Sequence, residues 1–247
     1  MNIEKGLLDI IIPVFHEEKI SNLFELLENN VKTPFRVLLC FDSYKDKTLH
    51  CYNPEDYSFD IDLVLNKGKG VHSAIMTGFK VSQADALLVY PADDLINTKI
   101  IDKMHKCFLS GYHIVVASRF IKGGTMRNCP FPKNLLVRLG SFSLFLLSSI
   151  PVMDASNGFR LFSKKLINSV QIESKKGFTY SIELLVKAKR LNFAIAEIPA
   201  QWEERSEGKS NFKLISWLSE YMKWYFYGLA TFWLRKGSTS NKEFKRY

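Results

Sequence analysis

The residue order predicts an α/β protein: a mostly parallel sheet flanked by helices, with an amphipathic helix appended at the C-terminal end. Three observations predict it. Short apolar, β-branched runs recur through the first half of the chain and alternate with segments of helical spacing, the pattern of βαβ units. Each run ends on acidic, basic or glycine residues, as strands do where an open sheet meets a ligand. Residues 213–234 repeat Leu214, Leu218, Tyr221, Met222, Tyr225, Phe226 and Leu229 on one helical face.

The stretch 87–95, Leu-Leu-Val-Tyr-Pro-Ala-Asp-Asp-Leu, anchors the reading. Its apolar start suits a buried strand, Pro91 cannot donate to a ladder and stops it, and Asp93 and Asp94 follow at once. A carboxylate pair there suits a hard divalent cation; equally, Asp94 or Asn97 could cap the helix that starts near Thr98.

In order, strands are expected at 8–14, 35–41, 61–65, 86–90 and 113–117. Helical patterns follow at 15–27, from Gly70 through Phe79, and at 97–109. Residues 118–124 read as a basic, glycine-containing loop, and 129–133, with two prolines, as irregular chain. A strongly apolar helix is expected at 135–150, then a polar loop 154–160 before a short strand at 161–162. A helix at 178–191, a strand at 194–199 and a charged loop at 201–211 complete the domain.

A 47% hydrophobic share over 247 residues supplies one large domain or a domain with an appendage, expected as 1–211 and 212–247. The four cysteines have no paired spacing, which argues against a zinc site or disulfide framework and for a reducing compartment. No leader-like apolar stretch follows Met1, and no apolar run is long enough to span a bilayer. The net charge of +9 suits phosphorylated small molecules or anionic lipid; without a compact basic stripe bearing stacking aromatics, nucleic acid is not expected. The aromatic load of 213–234 and the following Arg235, Lys236, Lys242, Lys245 and Arg246 suggest a membrane-interfacial helix, the other choice being a helix packed on the domain.

The strand-end residues form a set: Glu17 after the first strand, Asp42 after the second, Lys67 and Gly70 after the third, Asp93 and Asp94 after the fourth, Arg119 after the fifth. Acceptors for a nucleoside, glycines open to phosphate, carboxylates for a metal and cations for a diphosphate together read as a nucleotide-diphosphate site. No P-loop and no G-x-G-x-x-G follows a strand, which disfavours ATP and NAD folds.

In order, Ile11-Ile12-Pro13-Val14-Phe15-His16-Glu17-Glu18, Asp42-Ser43-Tyr44-Lys45-Asp46-Lys47-Thr48, Asn66-Lys67-Gly68-Lys69-Gly70, Ala92-Asp93-Asp94, Ser118-Arg119-Phe120, the 154–160 loop and Arg205-Ser206-Glu207-Gly208-Lys209-Ser210 resemble the family-2 glycosyltransferases of GT-A fold, especially the polyprenyl-phosphate (dolichol-phosphate) sugar synthases. The likeness spans about residues 8–212. It implies a nucleotide-diphosphate sugar, GDP- or UDP-linked, held by Pro13, Phe15, Glu17, Asp42, Lys67, Gly70, Ala92, Asp93, Arg119, Arg160, Lys209 and Ser210. It implies Mg²⁺ or Mn²⁺ on Asp93 and Asp94, and Asp154, Asp93 and Arg205 in the chemistry, with Asp154 the candidate base for a hydroxyl acceptor. Two positions depart from the family pattern: Pro91 stands where the first Asp of D-x-D stands, and Phe41 at the first Asp of the earlier pair. A metal-poor site, with Arg119, Arg205 and Lys209 neutralising the diphosphate, is the alternative.

The implied reaction is inverting transfer of a hexose to a polyprenyl phosphate by a peripheral protein on the cytoplasmic face of the cell membrane. The alternatives are a glycan or other hydroxyl acceptor in surface polysaccharide synthesis, or a non-catalytic nucleotide-sugar-binding subunit. Arg127 and Arg138 could meet the acceptor phosphate, Glu183 is expected to pair with Arg160 or Arg205, Asp154 could instead pair with Arg160, and His16 and His72 are expected as supporting polar groups rather than metal ligands.

Overall fold

A computed structural model describes residues 7–203 and 214–234. In chain order its strands are β1 (Leu8–Pro13), β2 (Phe35–Phe41), β3 (Ile61–Leu65), β4 (Ala86–Val89), β5 (Ile114–Ser118), β6 (Thr125–Arg127), β7 (Arg160–Ser163), β8 (Ile195–Pro199) and β9 (Gln201–Glu203). Its helices are α1 (Ile20–Asn30), α2 (Gly70–Val81), α3 (Ile101–Leu109), α4 (Phe131–Ser148), α5 (Lys164–Ser169), α6 (Tyr180–Arg190) and α7 (Leu214–Trp233). Seven strands form one sheet in the order β3-β2-β1-β4-β7-β5-β8, parallel except for β7, while β6 and β9 pair apart from it.

The central strands are apolar on both faces because helices cover both. Ile11, Leu38 and Leu87 face one core layer, reached by Ala74 and Ile75 of α2 and by Leu184 and Leu185 of α6. Ile10, Ile12, Leu39 and Leu88 face the other, with Leu23, Phe24 and Leu27 of α1 and Met104 of α3. Both-sided burial explains why the strands read as continuous apolar runs rather than alternating ones. Gly78 lets α2 lie close on β1: a Cβ there would come within 2.5 Å of Ile11 Cγ2.

A charged group interrupts these layers at β1. Asp9, fully buried in β1, accepts Nε and Nη2 of its cross-strand partner Arg36 at 3.1 and 2.9 Å. The third nitrogen of that guanidinium reaches Asp62 of β3 at 3.0 Å.

The short strand expected at 161–162 is β7, and its reversed direction has a functional consequence. The loop that enters it, residues 154–159, lies at the same sheet edge as the C-terminal ends of β4 and β5. Two expectations are corrected and one element is added. Residues 129–133 are not irregular: α4 starts at Phe131, with Pro130 as its cap and Pro132 in its first turn, where a missing N–H costs nothing. Gln201–Glu203, expected as loop, pairs with Thr125–Arg127. Lys164–Ser169, unassigned in the sequence, is a helix capped by the Ser163 hydroxyl, which accepts from the Leu166 N–H.

The C-terminal helix forms, and one of its faces is packed on the domain. Trp224 is buried, the Tyr225 hydroxyl donates to Ser143 Oγ on α4, and Arg190 of α6 donates to the Gly228 carbonyl and the Thr231 hydroxyl. Leu218, Met222, Phe226, Phe232 and Trp233 stay exposed. Among the described residues no helix is long and apolar enough to cross a membrane.

Candidate active site

The rim predicted from the strand ends is brought together along one edge of the sheet. After β1, His16 takes a left-handed backbone (φ 53°), and its N–H donates to Asp46 Oδ1 at 3.0 Å. The Glu17 N–H donates to the Thr48 hydroxyl at 2.8 Å, and His16 Nδ1 accepts the Lys47 N–H. Asp46 and Thr48 thus clamp the loop that carries Phe15, 63% exposed, and Glu17. Burial alone would raise the Asp46 pKa, but the bonds from Thr48 and His16 outweigh it and hold the carboxyl below the usual range.

Asp42, at the end of β2, accepts Asn66 Nδ2 at 2.6 Å and the Gly70 N–H at 2.8 Å. Gly70 has φ +84°, a conformation that suits glycine, and it opens α2. Lys67 is exposed in the same turn, and Pro13, partly exposed, closes β1 beside it.

After β4, Asp93 points outward, Ala92 is buried, and Asp94 turns back on its own loop. Asp94 Oδ1 accepts the N–H groups of Ile96 and Asn97, both at 3.0 Å, and Oδ2 accepts Asn97 Nδ2 at 2.7 Å. Asp94 thus closes its own loop rather than capping the helix as expected: the helical turn Asn97–Ile100 has Ile96 at its N-cap and α3 has Ile100, neither with a side-chain cap bond. Burial of Asp94, reinforced by the Asp93 charge, raises its pKa against those bonds. Among the described residues no three His, Cys, Asp or Glu side chains converge on one metal position. The donor set still suits Mg²⁺ or Mn²⁺: one outward carboxylate, with a second beside it, is what such an ion takes from protein when phosphate oxygens and water complete its shell.

The most buried part of the site is an ion pair. Arg119, 8% exposed, donates Nε to Asp154 Oδ2 at 2.7 Å and Nη2 to Oδ1 at 2.8 Å, and its N–H joins them at 3.0 Å. Burial would raise the Asp154 pKa, but the Arg119 charge and hydrogen bonds prevail and lower it. Both carboxylate oxygens are taken up by Arg119, which weighs against the expected general-base role of Asp154. The expected partner, Arg160, reaches only the Asp154 backbone carbonyl and that of Ser181. Arg160 is fully buried, which lowers its pKa to about 10, and it lies under the site rather than at its surface. Among the described residues Glu183 pairs with Lys187 at 2.8 Å and accepts the N–H groups of Glu173 and Ser174 rather than pairing with Arg160.

Three features escaped the sequence reading. Phe120 lies between two guanidiniums, with Arg119 Cζ 5.0 Å and Arg138 Cζ 4.6 Å from its ring centroid. Asn97 reaches across to β9. The Asp46–Thr48 clamp was visible only as motif letters. Arg205, Lys209 and Ser210 lie outside the described residues.

The profile described as glycosyl transferase family 2 matches residues 9–170. The chain belongs to glycosyl transferase family 2. Dolichol-phosphate mannosyltransferase of Pyrococcus furiosus is 26% identical over 228 residues, covering 87% of this chain and 63% of that protein. Dolichyl-phosphate beta-glucosyltransferase of Dictyostelium discoideum is 25% identical over 222 residues, covering 80% of this chain and 66% of that protein. The chain thus spans less than two thirds of the length of these relatives. Among solved structures, glucosyl-3-phosphoglycerate synthase of Mycobacterium tuberculosis, in complex with Mn²⁺, UDP and glucosyl-3-phosphoglycerate, superposes with TM-score 0.66 at 14% identity, over 91% of this chain and 80% of that one. The same enzyme with Mg²⁺ and UDP gives TM-score 0.62. The fold of this family-2 chain is GT-A.

Proposed function

We propose that this chain transfers a hexose, with inversion, from a GDP- or UDP-linked sugar to a polyprenyl phosphate at a membrane surface. One observation carries the acceptor choice. The Arg119–Phe120–Arg138 stack adjoins α4, whose Phe131, Leu135, Leu139, Phe142 and Leu146 expose an apolar stripe. Two cations beside an apolar track suit an ionised head group on a long hydrocarbon chain. The names of the Pyrococcus and Dictyostelium relatives support the same acceptor class.

In this reading Pro13, Phe15, Glu17 and Asp42 receive the nucleoside, and Ala92, Lys67 and the Gly70 turn border its phosphates. Asp93, with Asp94 beside it, would hold Mg²⁺ or Mn²⁺, which supplies charge neutralisation at the leaving diphosphate. Arg205, Lys209 and Ser210 remain candidates for the same diphosphate by family resemblance. Asp154 and Arg160 shape the floor, and Arg119, aimed by Asp154, faces the acceptor phosphate with Arg138. An acceptor phosphate oxygen attacks the anomeric carbon as the bond to the diphosphate breaks, and the nucleoside diphosphate leaves with the bonding electrons. The attacking oxygen is already ionised, so no side chain need remove a proton, consistent with the engaged Asp154.

Exposed apolar residues on both α4 and α7, on a chain of net charge +9, support peripheral attachment to an anionic leaflet, the inner face of the cell membrane. The domain boundary near residue 211 is retained as part of this proposal.

The test is labelled UDP- and GDP-hexoses incubated with the full chain and total lipid extract. Label in the organic phase supports the proposal. Label in a water-soluble glycan would replace the acceptor, and no transfer from any donor would overturn the reading.

A further inference from the structure

Asn97 joins two parts of the site that are 104 residues apart in sequence. Its Nδ2 donates to the Gln201 carbonyl at 2.6 Å, and its Oδ1 accepts the Gln201 N–H at 2.9 Å. The carboxamide thus pairs with Gln201 as a neighbouring strand would. The same Nδ2 also donates to Asp94 Oδ2, and the Asn97 N–H donates to Oδ1. One buried side chain therefore holds the Asp93–Asp94 loop by one end and β9 by the other.

The linkage continues towards α4. Trp202, next in β9, lies 5.2 Å beneath the ammonium of Lys133 in the first turn of α4. Glu203 accepts Asn128 Nδ2 at 2.7 Å, in the segment that leads into that helix. Among the described residues β9 pairs with β6 as a two-stranded ribbon, between the carboxylate loop and the foot of α4. A bidentate amide pair transmits position well: shifting either partner by an ångström breaks two hydrogen bonds at once.

We propose that Asn97 is a positioning residue that couples the carboxylate loop to the β6–β9 ribbon, so that filling the donor side stiffens the foot of the acceptor helix. The inference rests on the reading of the Asp93 rim as a donor-diphosphate site. Its chemistry requires that a loop drawn towards a metal-bound diphosphate carry Gln201 with it through the Asn97 carboxamide.

The experiment is amide hydrogen exchange by mass spectrometry on the full chain, with and without Mn²⁺ plus UDP or GDP. In the wild type, nucleotide with Mn²⁺ slows exchange at residues 91–97 and also at 125–127 and 201–203. In Asn97→Ala, protection at 91–97 persists and the ribbon no longer responds, with the Gln201 amide exchanging roughly tenfold faster at baseline. Asn97→Asp keeps the acceptor for the Gln201 N–H but loses both donated bonds; it is expected to uncouple the ribbon as well, and it serves should the alanine variant unfold. Ribbon protection that survives in either folded variant, or a wild-type ribbon that ignores the ligand while 91–97 responds, overturns the role of Asn97 and leaves the donor reading standing. No protection anywhere in the wild type with either nucleotide would remove both.

Discussion

Asp154 and Arg119 are bound side by side, Nε on Oδ2 at 2.7 Å and Nη2 on Oδ1 at 2.8 Å, with the carboxylate fully buried and the guanidinium nearly so. Removing the charge of one leaves the other buried and alone, which typically costs about 3–5 kcal/mol. Asp154→Asn is therefore expected to lower the melting temperature and to abolish transfer by releasing Arg119. The pH dependence follows from the depressed Asp154 carboxyl. Its stabilising contribution is present above the ordinary carboxylate pKa of about 4 and is lost as pH falls through the lower folded value. The variant should show a flatter acid limb when stability is followed by urea titration between neutral and acid pH.

Asp93 faces outward at the rim, so Asp93→Asn should leave the melting temperature nearly unchanged. It should remove the stabilisation that Mn²⁺ adds to UDP or GDP binding in a thermal-shift titration. Equal metal-dependent shifts in variant and wild type would take the metal away from this loop.

Gly78 is a test of the fold rather than of the chemistry. A methyl group there would overlap Ile11 Cγ2 at 2.5 Å, between α2 and β1. Gly78→Ala is expected to destabilise by about 1–3 kcal/mol, the usual cost of overpacking, read from chemical denaturation.

α7 bears on both stability and attachment. Trp224 is buried against the domain, so Trp224→Ala should cost about 3–5 kcal/mol. By the same reasoning, deletion of residues 212–247 should give an aggregating product rather than a well-behaved soluble domain, seen by light scattering.

On α4, Leu139 and Phe142 are exposed, so Leu139→Asp with Phe142→Asp should be tolerated in solution and should reduce cosedimentation with anionic vesicles several-fold. Unchanged vesicle binding would move the contact surface elsewhere.

Much of this architecture was legible in the residue order because burial on both faces leaves a plain signal. The apolar runs of β1, β2, β4 and β5 could hardly be anything else, and Asp42, Gly70 and Asp93 stand where a strand ends. Direction was not legible: Arg160–Ser163 reads the same whether it runs with or against its neighbours. Nor were partners, because hydrogen bonding is decided by proximity in space. Asp154 meets Arg119 across 35 residues rather than Arg160 in its own loop, and Asn97 meets Gln201 across 104. Two prolines near 130 read as broken chain, yet a helix start accommodates them at no cost.

The trio of Asp9, Arg36 and Asp62 has a consequence for how the chain reaches its native state. A sheet of nearly uniform Ile, Leu and Val could pair β1 with β2 one step out and still look greasy on both sides. In that misalignment the Asp9 charge would sit in a dry layer without its guanidinium, a heavy penalty that the aliphatic residues cannot impose. The three charges thus act as a register mark that the aliphatic runs lack.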